Sequence, residues 1–447
     1  MTTTRTRTTP TPAPAPTPTP ASASARMPAS APVAGAAAGR SALSSRPSVL
    51  LAAVVLLAVN LRLVFASASP LLHDIERGAH LSGSTAGLLT TAPVLCLGLG
   101  APLAMPLARR SGNHRVLLGC LLAIAAGAAL RSLPGTAWLF AGTVLAGAAI
   151  AIANVLLPSV VRQHYPDRIG RMTGIVTMLI SGGSAIAAGL AAPVEHLLGG
   201  WRPALAVWAL PALLAAVFWL PRVRPGNPTS AATASPTAAT AQTVGAPSTS
   251  GAPGLVRSLG AKAWQITAFM GMQSLLAYAL MAWLPQLLRD HGIGTSAAGG
   301  YLALLSLASI PSALLVPAFA ARRASQSGIG LGVVALSALG LAGLLVSPTG
   351  GTALWALLLG LGQGGELGLA LTLINLRSDS PAKVAALSGM AQSLGYLLAA
   401  TGPVGLGLLH SACGDWTGPL LALLALLVPL SAAGMAAGRP TGRGPNN

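Results

Sequence analysis

Apolar residues along this chain neither alternate nor recur on one helical face. They come in unbroken runs separated by short polar loops. Each run is about the 20 residues that an α-helix needs to cross the hydrocarbon core of a bilayer. Twelve such helices are predicted, over 48–69, 83–107, 115–133, 136–161, 171–194, 203–221, 263–287, 297–320, 327–346, 351–375, 384–409 and 417–437. Gly and Ala recur within them, which allows the close helix–helix approach that packing in lipid relies on. The expected class is an all-α integral membrane protein.

Two stretches break the pattern. Residues 1–46 are rich in Thr, Pro, Ala and Ser, with five arginines and no acid. They cannot bury a core, so a disordered basic cytoplasmic tail is expected. They also lack the apolar segment of a secretory signal. Residues 222–262 have a similar acid-free composition and are expected to form a flexible cytoplasmic linker. The linker separates an N-terminal six-helix half, 47–221, from a C-terminal half, 263–437, and a short cytoplasmic tail, 438–447, follows.

Composition narrows the function. Charged residues make up 8% of the chain against about 25% in a soluble domain, too few to cover a globular surface. A soluble enzyme is excluded on that ground. There is no GxxxxGK[ST] phosphate loop, no catalytic triad and no metal-ligand spacing among the His and Cys residues. No enzyme activity, cofactor or metal is expected. The net charge of +18 raises nucleic acid as a partner, but the basic residues are scattered through short loops with few aromatics between them. Membrane topology explains them better. With the N-terminus inside, the cytoplasmic segments hold 21 of the 26 basic residues, and five of the eight acids (Asp74, Glu76, Glu195, Asp290, Asp415) fall outside. The outer loops hold only Arg77, Arg131, Arg202 and Arg289. The positive-inside rule therefore puts both termini in the cytoplasm and the protein in the cytoplasmic membrane.

The chain also repeats. At an offset of 215, Pro70 matches Pro285, Pro102 matches Pro317 and Trp201 matches Trp416; Arg162, Pro166, Arg168 and Gly174 match Arg377, Pro381, Lys383 and Gly389. Two parallel six-helix repeats are an architecture of secondary transporters, with the substrate site near the midplane between them.

Two six-helix halves, a long central linker and basic loops after spans two and eight resemble the major facilitator superfamily. The stretch Leu107-Ala108-Arg109-Arg110-Ser111-Gly112-Asn113-His114-Arg115 resembles its cytoplasmic signature, except that Arg109 stands where an acid is usual and Met105 where an early glycine is usual. A more specific resemblance, to the cyanate and 2-nitroimidazole permease-like branch, rests on several stretches. These are Asn60-Leu61-Arg62, Ser69-Pro70-Leu71-Leu72, Leu88 to Cys96, Asn154 to Pro158, Gly362-Gln363-Gly364-Gly365 and Leu387 to Tyr396. It implies twelve helices in two pseudo-symmetric halves and a small solute as substrate. The loops carrying Arg109, Arg110, Arg322 and Arg323 are the expected gating loops.

Two charges lie clearly within the spans, Arg62 in span one and Glu366 in span ten. A charge at mid-membrane costs at least about 2.5–3.5 kcal/mol, so something must offset each. A guanidinium offers fixed donors to an anionic or strongly dipolar substrate; otherwise Arg62 snorkels or bonds helix carbonyls. Glu366, among glycines, is a candidate for proton coupling, for a hydrogen-bonded structural acid, or for pairing with Arg62. Asn60, Asn154, Gln363, Gln392 and Tyr396 are candidates to bind substrate, or to bond helix to helix. The reading is a secondary active transporter of a small anion or nitro compound, working by alternating access with protons as the candidate coupling ion. Its partners are the small-molecule substrate and membrane lipid, with no nucleic acid; nothing fixes the oligomeric state, and a monomer is favoured. The alternatives are a proton-driven multidrug exporter of the same fold and a membrane receptor or scaffold that binds without translocating.

Overall fold

The computed structural model describes residues 47–165, 169–223, 260–378 and 381–440. The expected N-terminal tail and most of the expected linker and C-terminal tail lie outside the described residues. Within them are twelve helices long and apolar enough to cross a membrane. Spans one to six are Val49–Ala66, Thr85–Ser111, Asn113–Leu130, Thr136–His164, Arg171–Leu198 and Trp201–Arg222. Spans seven to twelve are Gly260–Asp290, Thr295–Ala321, Ser327–Val346, Thr352–Leu376, Ala386–Cys413 and Thr417–Gly438. No strand occurs among the described residues.

Proline accounts for two of the differences from the hydropathy runs. Span one ends at Ala66, not at 69. Pro70 has no N–H to offer the Ala66 carbonyl, and the chain turns through hydrogen bonds from Ala68 N to Phe65 O and from Leu71 N to Ala68 O. A short helix, Leu72–Ala79, follows; it buries Leu72 and Ile75 and carries Asp74 in its first turn, where the helix dipole favours an acid. Span two is interrupted by a 3₁₀ turn, Ala101–Leu103, that contains Pro102.

Successive spans run in opposite directions, so their ends form two faces. Asp74, Glu76, Asp290 and Asp415 mark one, the acidic face. Arg109, Arg110, Arg322 and Arg323 mark the other, the basic face. The two halves meet mainly through span two on span eleven and span five on span eight. These pairs are equivalent under the repeat, as a pseudo-twofold axis requires.

Small residues set the helix spacing. In span ten, Gly360 and Gly364 lie against the backbone carbonyls of Leu305 and Ser309 in span eight, and Gly362 and Gly365 lie against Ser337 and Val333 in span nine. Span ten is thus clasped on both sides, and backbone cannot yield as a side chain does. Gly364→Val is expected to destabilise the C-terminal half by about 1–3 kcal/mol or more, the cost of overpacking. A lowered unfolding temperature of the purified protein checks this; an unchanged one contradicts the clasp.

Candidate functional site

A twofold axis relates residue i of the first half to residue i+215 of the second. A residue therefore approaches its own mate only on the axis. Two contacts on span seven have that signature, one from span one and one from the short helix that follows it. Arg62 Nη1 donates to Tyr278 Oη at 2.9 Å, across a separation of 216 residues. Arg289 Nη1 donates to Asp74 Oδ2 at 2.7 Å, across 215. The first lies within the spans and the second at the acidic face.

Arg62 lies one turn before the end of span one and is half-buried. Its guanidinium carbon is 5.2 Å from the centre of the Tyr278 ring, within cation–π range. Tyr396, from span eleven, stands edge-on to Tyr278 at 6.2 Å and 72°. One cation from the N-terminal half thus faces two phenols from the C-terminal half. No carboxylate forms an ion pair with Arg62 among the described residues. Of its five N–H donors one is used on Tyr278, which leaves donors for a negatively charged group.

On the acidic-face side of Tyr278 lies a small cavity, walled by spans one, two, four and seven with Leu205 of span six and Arg131 at the end of span three. Arg131 was expected in a solvated outer loop. It is instead turned inward and only 3% exposed. No feature of the sequence marked that turn.

The acidic face is shut. Besides Arg289–Asp74, Gln286 Nε2 donates to Glu76 Oε2 at 3.2 Å, and Gly87 packs on the backbone of Pro403 and Val404. Deeper in, Ser306 donates to Ser184 at 3.3 Å between spans eight and five. The hydrogen bonds Arg62–Tyr278, Ser306–Ser184, Gln286–Glu76 and Arg289–Asp74 thus join the halves from mid-membrane to this face. At the basic face Arg109, Arg110, Arg322 and Arg323 are exposed, and none makes an ion pair among the described residues.

The remaining candidates are dispersed. Asn60 is fully buried and its amide donates to Leu56 O (2.7 Å) and Pro211 O (3.1 Å). It ties span one to span six, on a different side of the helix from Arg62. Glu366 is fully buried between spans nine and ten, where Oε1 accepts from Ser337 Oγ at 2.7 Å and Oε2 has no partner among the described residues. The two intramembrane charges do not pair. Gln363 is buried with its Nε2 unpartnered among the described residues. Gln392 is half-buried and donates to Ser388 on its own helix at 3.0 Å; Asn154 is half-buried on span four. Tyr278 is a site residue that the intramembrane charges did not reveal. The repeat offset could have found it, since Arg62 maps next to it.

The acidic face carries its own pH dependence. Burial raises the Glu76 carboxyl above its usual value of 4.5, and Asp290 adds to the rise, while the Gln286 amide, His73 and His410 oppose it. The closed face thus favours the protonated acid. The Glu76 contribution to closure is full below its usual value of 4.5 and is lost as pH climbs through the raised value. In a background without native cysteines, spin labels at Arg77→Cys and His291→Cys should report a longer distance with rising pH. Glu76→Gln should flatten that response, and an unchanged pH response in Glu76→Gln would exclude Glu76 as its source.

The Major Facilitator Superfamily pattern matches residues 50–403. YycB, an uncharacterized transporter of Bacillus subtilis (strain 168), is 40% identical over 87% of this chain and 93% of its own length. The 2-nitroimidazole transporter of Escherichia coli (strain K12) is 39% identical over 88% of this chain and 95% of its own. The cyanate transport protein CynX of the same strain is 29% identical over 85% and 95%. The crystal structure of a bacterial homologue of the human lysosomal transporter Spinster, inward-facing and occupied, superposes with a TM-score of 0.73 at 17% identity, covering 89% of this chain and 98% of that one.

Proposed function

This chain belongs to the major facilitator superfamily and is a multi-pass secondary transporter, and we propose that it carries a small anion or nitro compound on Arg62. The observation behind this is the guanidinium on the pseudo-twofold axis, held by Tyr278 from the opposite half and paired with no acid among the described residues. A charge in that place costs several kcal/mol unless something neutralises it, and a cargo with a negative end does so. Two relatives named for 2-nitroimidazole and cyanate support that class.

Alternating access follows from the same axis. The basic face is cytoplasmic on the positive-inside rule, so the closed acidic face is the outer gate and the site faces inward. Rocking of one half on the other would break Asp74–Arg289 and engage the arginine loops at 109–110 and 322–323. An inside-negative potential opposes anion import by about 2.3 kcal/mol per charge per 100 mV; import then needs proton symport or exchange, and export does not. Glu366 is the proposed proton carrier, because its second oxygen is buried without a partner among the described residues. Glu366→Gln should keep counterflow but lose any response to a proton gradient; a retained response would remove it from the coupling.

The test is uptake of labelled cyanate and labelled 2-nitroimidazole into proteoliposomes, with and without an inward proton gradient. Saturable uptake of either supports the reading. Movement of broad apolar drugs alone would favour a multidrug exporter, and binding without uptake would favour a receptor.

A further inference from the structure

We propose that Arg131 forms a second subsite for a small monovalent anion, in series with Arg62 and nearer the acidic face. The class of ligand rests on the anion reading of Arg62; the site itself rests on its own geometry. Arg131 directly follows span three and is only 3% exposed. Its Nη1 donates to Val64 O at 2.9 Å. That carbonyl lies in the last turn of span one, where helical donors run out and a cation is favoured. This contact accounts for one nitrogen. Nε and Nη2 are buried with no hydrogen-bond partner among the described residues, a costly state for a group that stays charged at any physiological pH.

Arg131 and Tyr278 both line the cavity, and no carboxylate does. Thr90 and Thr143 on its wall donate their hydroxyl hydrogens to carbonyls of their own helices. Tyr278 Oη accepts from Arg62, so its own O–H remains to donate. The donors available are therefore the two Arg131 nitrogens and the hydroxyls of Tyr278 and Ser69, set in a wall that is otherwise largely apolar. One positive charge in such a wall suits a weakly hydrated monovalent anion such as cyanate, thiocyanate or nitrate. It does not suit phosphate or sulfate, whose second charge would stay uncompensated. Two cations in series let an anion leave Arg62 without losing all attraction, the multi-site device that ion conduction also uses.

The experiment counts labelled thiocyanate bound to the purified full-length protein. Wild type is expected to bind two ions per chain, Arg131→Gln one, Arg62→Gln one, and the double variant none. Thr143→Glu guards against a folding defect. It offers Arg131 a tethered carboxylate, leaves the Val64 contact in place and should bind one ion with no fall in unfolding temperature. Two ions bound by both Arg131→Gln and Thr143→Glu would overturn the inference, as would a single ion in wild type that Arg131→Gln retains. Arg62→Gln binding as many ions as wild type would instead remove the Arg62 reading, with Arg131 judged on its own variants. If Arg131 only capped span one, its loss would lower the unfolding temperature and leave the ion count alone.

Discussion

Asp74→Arg is expected to hold the acidic face open and cut transport at least about tenfold, because each cycle must close that face. The native pair is partly covered, with side chains 18% and 28% exposed. Its simple removal should cost about 1 kcal/mol or less. Reversal is more severe, since it sets two guanidiniums against each other, and like charges brought together cost several kcal/mol. A change of about 3 kcal/mol shifts the closed-to-open ratio by more than about 100-fold. The spin-label distance between positions 77 and 291 should lengthen accordingly. The swapped variant, Asp74→Arg with Arg289→Asp, should restore both distance and transport. The two positions are mates under the repeat, so exchanging them preserves the pairing. A swap that fails to restore closure would show that the pair does not hold the gate.

Arg62→Gln has the second large effect. A hydrogen bond to a charged group contributes about 1.5–3 kcal/mol, so the apparent affinity for cyanate should fall about 10- to 150-fold. 2-Nitroimidazole, with a dipole in place of a full charge, should lose less. Tyr278→Phe removes the hydroxyl that Arg62 bonds and should cost several-fold. Since Arg62→Gln also removes a charge from the membrane interior, its unfolding temperature should not fall. A variant that unfolds more easily yet transports cyanate with native affinity would make Arg62 a structural residue.

The fold was largely legible because hydrocarbon imposes one rule on every span: twenty apolar residues, backbone satisfied within the helix. Two exceptions follow proline chemistry: span one ends early before Pro70, and span two breaks at Pro102. Arg62 was legible as a charge in the wrong solvent. Tyr278 was not, because a phenol in an apolar helix carries no comparable penalty. It emerges only when two helices meet on the axis. Arg131 was hidden for another reason: a residue just past a span looks the same whether it turns to water or inward. Asn60 reads from the sequence as a group that binds substrate or ties helix to helix, which an amide's chemistry alone does not decide; its nitrogen bonds two helix carbonyls.

A substrate site on the axis, between Arg62, Tyr278 and Tyr396, should be reached from the basic face while the acidic face is closed. Tyr396→Cys, in a background without Cys96, Cys120 and Cys413, tests it most directly. Vesicles of both orientations would be treated with a membrane-impermeant thiol reagent, with and without saturating cyanate or 2-nitroimidazole. The expected result is fast labelling from the basic face, slow labelling from the acidic face, and protection by substrate. Equal labelling from both faces, or labelling that neither compound slows, would contradict the account.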